Sequence, residues 1–171
     1  METFVIYWTC TEAGSRITCM KTGRKETKMR EWFVYFPVGT LKPQLIPVTI
    51  SSEDSLLTFL YITIGCESVE TVCVNQDPPI RMIVDENGLF NERLKPNLIG
   101  CTLYNGLIVG GIILATEGQR DGEPDIVGFD TMMQAQEVAQ KAVKAAKDHF
   151  RNTLVQLYGT EAKTLHPEFF D

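Results

Sequence analysis

Residues 130–159 read DTMMQAQEVAQKAVKAAKDHFRNTLVQLYG and carry one long, regular apolar pattern. Its apolar side chains recur every three or four residues, at Met132, Ala135, Ala139, Val143, Ala146, Phe150, Leu154 and Leu157. That spacing places them on one face of an α-helix. Asp130 is suited to cap the start of such a helix and Gly159 to end it.

The length of this helix has a consequence for assembly. A helix over residues 130–158 would be roughly 42 Å long, which is more apolar length than one small sheet covers. The C-terminal tail, residues 160–171, ends in Phe169 and Phe170, which could dock on a neighbour. The sequence therefore predicts a homo-oligomer, most simply a dimer.

The residues before the helix favour strands separated by turns. Strand-like segments rich in β-branched and aromatic side chains occur at 3–10, 31–38, 69–74, 80–85, 101–104 and 107–115. Asn87-Gly88 and Asn105-Gly106 are predicted to reverse the chain with positive φ, and residues 116–124 are predicted to be a polar loop. Gly110-Gly111 suggests a bulge or a close approach by another backbone or a ligand.

One short helix interrupts these strands. Ser51 and Ser52 can cap a helix over about 52–63, and Gly65 can end it. The sequence thus predicts a single α+β domain over residues 1–171. An antiparallel or mixed sheet from strands between 3 and 115 would carry this short helix and the long C-terminal amphipathic helix.

Composition favours an ordinary globular protein, since 44% of residues are hydrophobic and 22% are charged. The longest apolar run, at 107–115, is too short to cross a bilayer, and the N-terminus does not resemble a signal peptide. We therefore expect a cytoplasmic protein without a membrane partner, placed in the host cytoplasm if a phage encodes it.

No pattern of catalytic residues is visible. The five cysteines are scattered, without Cys-x-x-Cys or zinc-ligand spacing, so free buried thiols are expected. His149 and His166 have the character of surface residues, and none of the common nucleophile, phosphate-loop or metalloprotease motifs occurs. We therefore predict no catalytic residues, no metal and no cofactor.

Charge is unevenly distributed along the chain. Of the residues from Arg16 to Arg30, six are basic, namely Arg16, Lys21, Arg24, Lys25, Lys28 and Arg30, and only Glu26 is acidic. The net charge of −6 therefore divides into +5 for this segment and −11 for the remainder. The segment, part of a basic hairpin or loop at 11–30, is interpreted either as a solvated loop or as a surface for an anion or an acidic partner.

Residues 45–115 resemble a family found largely in phages and mobile elements, catalogued as domain of unknown function 3846. The resemblance rests on the helix LLTFLYITIG, on VETV with Glu70, on the strand MIVDENG, on the corner Pro96-Asn97 and on the strand IVGGIIL. It implies a small accessory protein that binds and neutralises a host component.

The turn-rich segment 81–97 supplies a candidate ligand site. Arg81, Arg93, Lys95 and Asn97 could offer side-chain and backbone donors to an anion. The leading hypothesis is a non-enzymatic protein that sequesters a small anionic host molecule, such as a nucleotide signal of an anti-phage defence system. An inhibitor or adaptor that binds a host protein is the alternative. Nucleic-acid binding ranks third, because the acidic remainder would repel a phosphate backbone.

Overall fold

The computed structural model describes residues 30–120 and 122–170 in full, together with the backbone of two short strands in the N-terminal segment. The strands are β1 Ile6–Thr9, β2 Arg16–Cys19, β3 Glu31–Phe36, β4 Gln44–Val48, β5 Val69–Gln76, β6 Pro79–Asp85, β7 Ile112–Arg120 and β8 Glu123–Val127. The α-helices are α1 Glu53–Ile64, α2 Leu98–Tyr104, α3 Met132–Tyr158 and α4 Ala162–Leu165. Short 3-10 helices occur at Gly88–Phe90, Gly159–Glu161 and Pro167–Phe169.

Six strands form one antiparallel sheet with the order β4-β3-β7-β6-β5, and β8 pairs with the second half of β7. The predicted α+β fold with a long C-terminal helix is therefore confirmed. The prediction that every strand between 3 and 115 shares this sheet is wrong for β1. β1 pairs with β2 in a separate two-stranded antiparallel sheet, in which Ile6 lies opposite Cys19 and Thr9 lies opposite Arg16.

Helices cover both faces of the sheet. Successive side chains of a strand point to opposite faces, so each central strand contributes to both layers. Phe33, Ile83 and Ile113 pack with Leu56 and Leu60 of α1 on one face. Val34, Met82 and Leu114 pack with α2 and α3 on the other. This second face is covered by four fully buried α3 residues, which are Ala135, Ala139, Ala142 and Ala146. Their small size allows α3 to lie close to the sheet.

Local capping sets the ends of the two longer helices. Ser52 and Ser55 form a capping box at the start of α1, and Gly65 ends it with φ of 81°. Thr131, and not the predicted Asp130, caps α3 through a capping box with Gln134. Both helices otherwise begin and end close to the predicted residues.

The C-terminal tail folds back on α3 of its own chain. Phe169 is buried, and its ring lies 5.6 Å from that of Phe150. Arg151 donates from Nε to the Phe169 carbonyl at 3.0 Å, and its guanidinium lies 5.7 Å from the Phe170 ring. The predicted docking of these two phenylalanines on a neighbour is therefore wrong, because they contact the helix that precedes them.

Several local predictions are also wrong. Residues 101–104 belong to α2 and not to a strand. Asn105 has the predicted positive φ, of 56°, but it ends that helix instead of turning a hairpin. Asn87 has φ of −97°, and Gly88 begins a 3-10 helix, so the predicted positive-φ reversal does not form there. The predicted polar loop 116–124 is the hairpin of β7 and β8.

An ion cluster joins the β7–β8 hairpin to the start of β3. Arg120 donates to Glu31 at 2.9 Å and to Asp125 at 2.6 Å, and all three side chains are largely buried. Burial alone would disfavour the charged form, but the hydrogen bonds to both carboxylates raise the pKa of Arg120. Glu31 also accepts a hydrogen bond from the Gly128 amide at 2.8 Å, so the cluster fixes the end of the sheet remote from the Pro96-Asn97 corner.

Candidate functional site

Arg81, the first of the predicted ligand residues, lies on β6 and forms an ion pair with Glu117 of the adjacent β7. The hydrogen bond that the guanidinium donates to Glu117 raises the pKa of Arg81. The guanidinium therefore already has a carboxylate partner within the sheet, with which an anionic ligand would have to compete.

Asn97 is buried, with 1% of its surface exposed. Its Nδ2 group donates to the Phe36 carbonyl at 3.1 Å and to the Gly110 carbonyl at 2.9 Å, and its Oδ1 accepts from the Gly100 amide at 3.1 Å. Asn97 is thus the N-cap of α2 and ties that helix to the end of β3 and to the Gly110-Gly111 segment. Both amide hydrogens are used by main-chain carbonyls, so the Pro-Asn corner is a structural joint.

Arg93 and Lys95 are exposed on the connection between the 3-10 helix and α2. Of the four predicted residues, Arg93 alone lines the nearby concave region of about 550 Å³, which we call the acidic corner. Its lining consists of Gly65, Cys66, Glu67, Asp85, Asn87, Phe90, Asn91, Glu92 and Arg93. The structure therefore does not gather Arg81, Arg93, Lys95 and Asn97 into one site.

The acidic corner is electrostatically unfavourable for an anion. Three carboxylates, from Glu67, Asp85 and Glu92, line it against the single cation of Arg93. Burial, together with the negative charge of Asp85, raises the pKa of the Cys66 thiol. A thiolate is disfavoured at this position, and the three carboxylates of the lining disfavour a phosphate by like-charge repulsion.

The basic segment from Arg16 to Arg30 falls mostly outside the described residues. Lys21, Arg24, Lys25 and Lys28 are not described, and Arg16 is described only as backbone in β2. The guanidinium of Arg30 lies 5.5 Å from the centre of the Trp32 ring, a cation–π contact.

A second concave region, of about 500 Å³, has the opposite charge. We call it the basic groove; it is lined by Leu41, Lys42, Pro43, Gln140, Val143, Lys144, Lys147, Asp148 and Arg151. Residues 41–43 precede β4, and the others recur at helical spacing along one face of α3. Four basic side chains against one carboxylate give it a formal charge of +3 in a chain whose net charge is −6.

The groove combines this charge with an apolar floor and an anchored arginine. Leu41 and Val143 are partly buried against the core beneath the sheet. Arg151 is fixed on one side by Asp148, which accepts from Nη1 at 3.2 Å, and on the other by the Phe169 carbonyl. A positioned guanidinium beside an apolar surface is typical of sites for small anionic molecules.

Sequence reasoning missed this groove, although part of its signal was present. Lys144, Lys147 and Arg151 recur at intervals of three and four residues on the long helix. What the sequence did not reveal is that residues 41–43, about a hundred positions earlier, form the opposite wall.

The described residues contain no group of three His, Cys, Asp or Glu side chains placed to hold a metal ion. His149 packs edge-on against Phe150, and His166 lies 3.4 Å from a carboxylate oxygen of Glu168. Neither histidine lines the basic groove or the acidic corner. Among the described helices, none is both long and apolar enough to span a membrane.

Comparisons of the chain with protein-family models, with curated proteins and with solved structures returned no significant match. The resemblance of residues 45–115 to the phage family stays a prediction.

Proposed function

We propose that this protein binds a small phosphate-bearing anion in the basic groove and holds it without transforming it. The observation that carries the proposal is the set of four basic side chains around one concavity of an acidic chain. Such a concentration of one sign of charge attracts an oppositely charged ligand and raises its local concentration.

The groove residues divide into two roles. Lys144 and Lys42 are exposed cations that can each donate charge-assisted hydrogen bonds to phosphate oxygens. Arg151 donates through Nε and Nη1 to the protein itself, so we assign its Nη2 group to the ligand. The apolar surface of Leu41, Pro43 and Val143 can contact the uncharged part of the same molecule.

Sequestration is favoured over catalysis by the chemistry of the lining. Among the described residues that line the groove there is no histidine, cysteine or serine, and its one carboxylate, Asp148, already accepts a hydrogen bond from Arg151. The resemblance to the phage family would make the sequestered molecule a nucleotide signal of host defence.

The test is calorimetric titration of the full chain, at low and at physiological salt, with pyrophosphate, adenosine diphosphate and a cyclic dinucleotide. Lys144→Glu should weaken binding of the tightest ligand by roughly tenfold to a hundredfold, since each charge-assisted bond contributes about 1.5 to 3 kcal/mol. The ligand should be recovered chemically unchanged after prolonged incubation, as measured by mass spectrometry.

Lys141→Glu is the matched control, because Lys141 is an exposed lysine of the same helix that does not line the groove. This variant changes the net charge identically without altering a lining residue, so the difference between the two variants measures the direct contact of Lys144 apart from the general charge effect, which salt screens. Equal losses in the two variants, or no binding of any anion by the wild-type chain, would refute the proposal.

A further inference from the structure

Two large hydrophobic side chains project from the turn beside the acidic corner. Leu89 is 63% exposed and Phe90 is 86% exposed, the highest value among the large hydrophobic residues of the described chain. Both belong to the 3-10 helix Gly88–Phe90, and Phe90 itself lines the acidic corner. An aromatic ring in this position costs hydration free energy unless another surface covers it.

The turn that presents Phe90 is held by the surrounding structure. Gly88 is buried, and a Cβ atom added to it would lie 3.0 Å from Cγ2 of Val109, so the backbone is pressed against the segment before β7. Asp85 accepts from the Asn87 amide at 2.9 Å, and the Asn87 side chain donates to Ser68 Oγ at 2.9 Å. The Phe90 amide donates to the Asn87 carbonyl at 3.0 Å. Phe90 is thus exposed on a preorganised turn, which lowers the entropic cost of using it in a contact.

The chain also contains the surface that complements this one. The acidic corner carries three carboxylates and one cation, whereas the basic groove carries four cations and one carboxylate. The groove also has an apolar floor of Leu41, Pro43 and Val143 that an aromatic ring could cover. Complementary charge around a central apolar contact is the usual arrangement of a protein interface.

We propose that the acidic corner, with Phe90 at its centre, docks into the basic groove of a second copy of this chain. The two surfaces share no residue. The corner lies at the C-terminal end of α1 and the groove lies along α3, and these helices pack on opposite faces of the sheet. Contact between them therefore needs two molecules.

The corner and the groove lie with helices on opposite faces of the sheet, so both cannot meet their counterparts across one two-fold axis. The contact is therefore heterologous, and it leaves one free corner and one free groove at the ends of each pair. Association can then continue beyond a dimer unless the rotation between copies closes a ring. A phosphate-bearing anion in the groove would compete with the incoming corner. The inference depends on the charge and shape of the groove and not on the identity of any small ligand.

Sedimentation velocity on the full chain, from low micromolar to several hundred micromolar protein and at low salt, tests the inference. The wild type should show a mass that rises with concentration above 19.3 kDa. Phe90→Ala and Lys144→Glu should each weaken self-association by roughly tenfold or more, because both alter the centre of the contact. Lys141→Glu should associate as the wild type does.

Mixing the two defective variants gives the decisive measurement. Phe90→Ala retains an intact groove and Lys144→Glu retains an intact corner, so an equimolar mixture can form one productive contact and should stop at the dimer. An interface in which the same patches meet would show no such complementation. A wild-type chain that stays monomeric, variants that associate normally, or a mixture that stays monomeric while the wild type associates would each overturn the inference.

The outcomes separate this inference from the proposed function. Phe90→Ala leaves the groove unchanged, so it should bind pyrophosphate or adenosine diphosphate at least as tightly as the wild type, in which the corner of a second copy competes for the groove. A monomeric wild type that binds an anion would overturn the self-association and leave the proposed function standing. Concentration-dependent association without anion binding would refute the proposed function and leave the self-association standing.

Discussion

Replacement of Asn97 by alanine separates a structural role from a ligand-binding role at the Pro-Asn corner. The substitution removes three hydrogen bonds at once, from Nδ2 to Phe36 and Gly110 and from the Gly100 amide to Oδ1. It leaves two carbonyls and one amide in a region where the Asn97 side chain itself is almost fully buried. We expect a large loss of folding stability and no direct loss of ligand contact.

The magnitude follows from two contributions. Loss of an N-cap typically costs about 1 kcal/mol. Each buried polar group left without a partner costs about 1 to 3 kcal/mol, although relaxation and entering water recover part of this. A total of about 3 to 5 kcal/mol is therefore expected, which is a large fraction of the roughly 5 to 15 kcal/mol available to a domain.

Urea unfolding and thermal unfolding, followed by circular dichroism, would measure this loss. The expected decrease in Tm is roughly 6 to 20 °C for a chain of this size. Asn75→Ala is the control, because the Asn75 side chain makes a single exposed hydrogen bond, to the Asp77 carbonyl at 2.9 Å. An Asn97→Ala protein as stable as this control would refute the assignment of Asn97 as a structural joint.

Three further outcomes are expected. Burial and then Asp85 raise the pKa of the Cys66 thiol. The rate of Cys66 alkylation, measured by peptide mapping, should therefore keep rising with pH above the point at which the rate for a free cysteine levels off. Asp85→Asn should shift this pH profile to lower pH. Phe169→Ala should lower the free energy of unfolding by about 3 kcal/mol and should weaken anion binding. The reason is that the backbone and ring of Phe169 anchor the end of α3 beside Arg151. Unchanged stability in chemical denaturation would contradict this. Ala146→Leu should cost about 1 to 3 kcal/mol by overpacking and should weaken anion binding, whereas Leu at the exposed Ala145 should change neither in the same assays.

The elements that sequence reasoning predicted well are those whose signals are local. The capping serine of α1 and its terminal glycine lie within one residue of the helix they delimit. The apolar stripe of α3 is likewise contained in consecutive turns of the same helix. Such patterns need no information about the rest of the chain.

The elements that were missed depend on tertiary context. β4 was not among the predicted strands; it contains Pro47 and is an edge strand, where a residue without an N–H group is tolerated. The seven residues of α2 are too few to show a helical period. This helix is stabilised by packing, since a Cβ atom added to Gly100 would lie 2.7 Å from Cγ2 of Ile108. The capping signal of Asn97 was present in the sequence but was interpreted as part of a ligand site.

The candidate site was hidden from sequence reasoning for a similar reason. Local charge density draws attention to residues 16–30, where six basic side chains fall within one short segment of the chain. In the basic groove the cations come from residue 42 and from residues 144–151, and no short window contains both. They meet because the alanine face of α3 lets this helix lie close to the sheet, next to the connection between β3 and β4. The residues that create the groove are thus the buried alanines as much as the lysines. Packing in the core fixes the orientation of such a helix. That orientation then determines which charged side chains meet on its outer face.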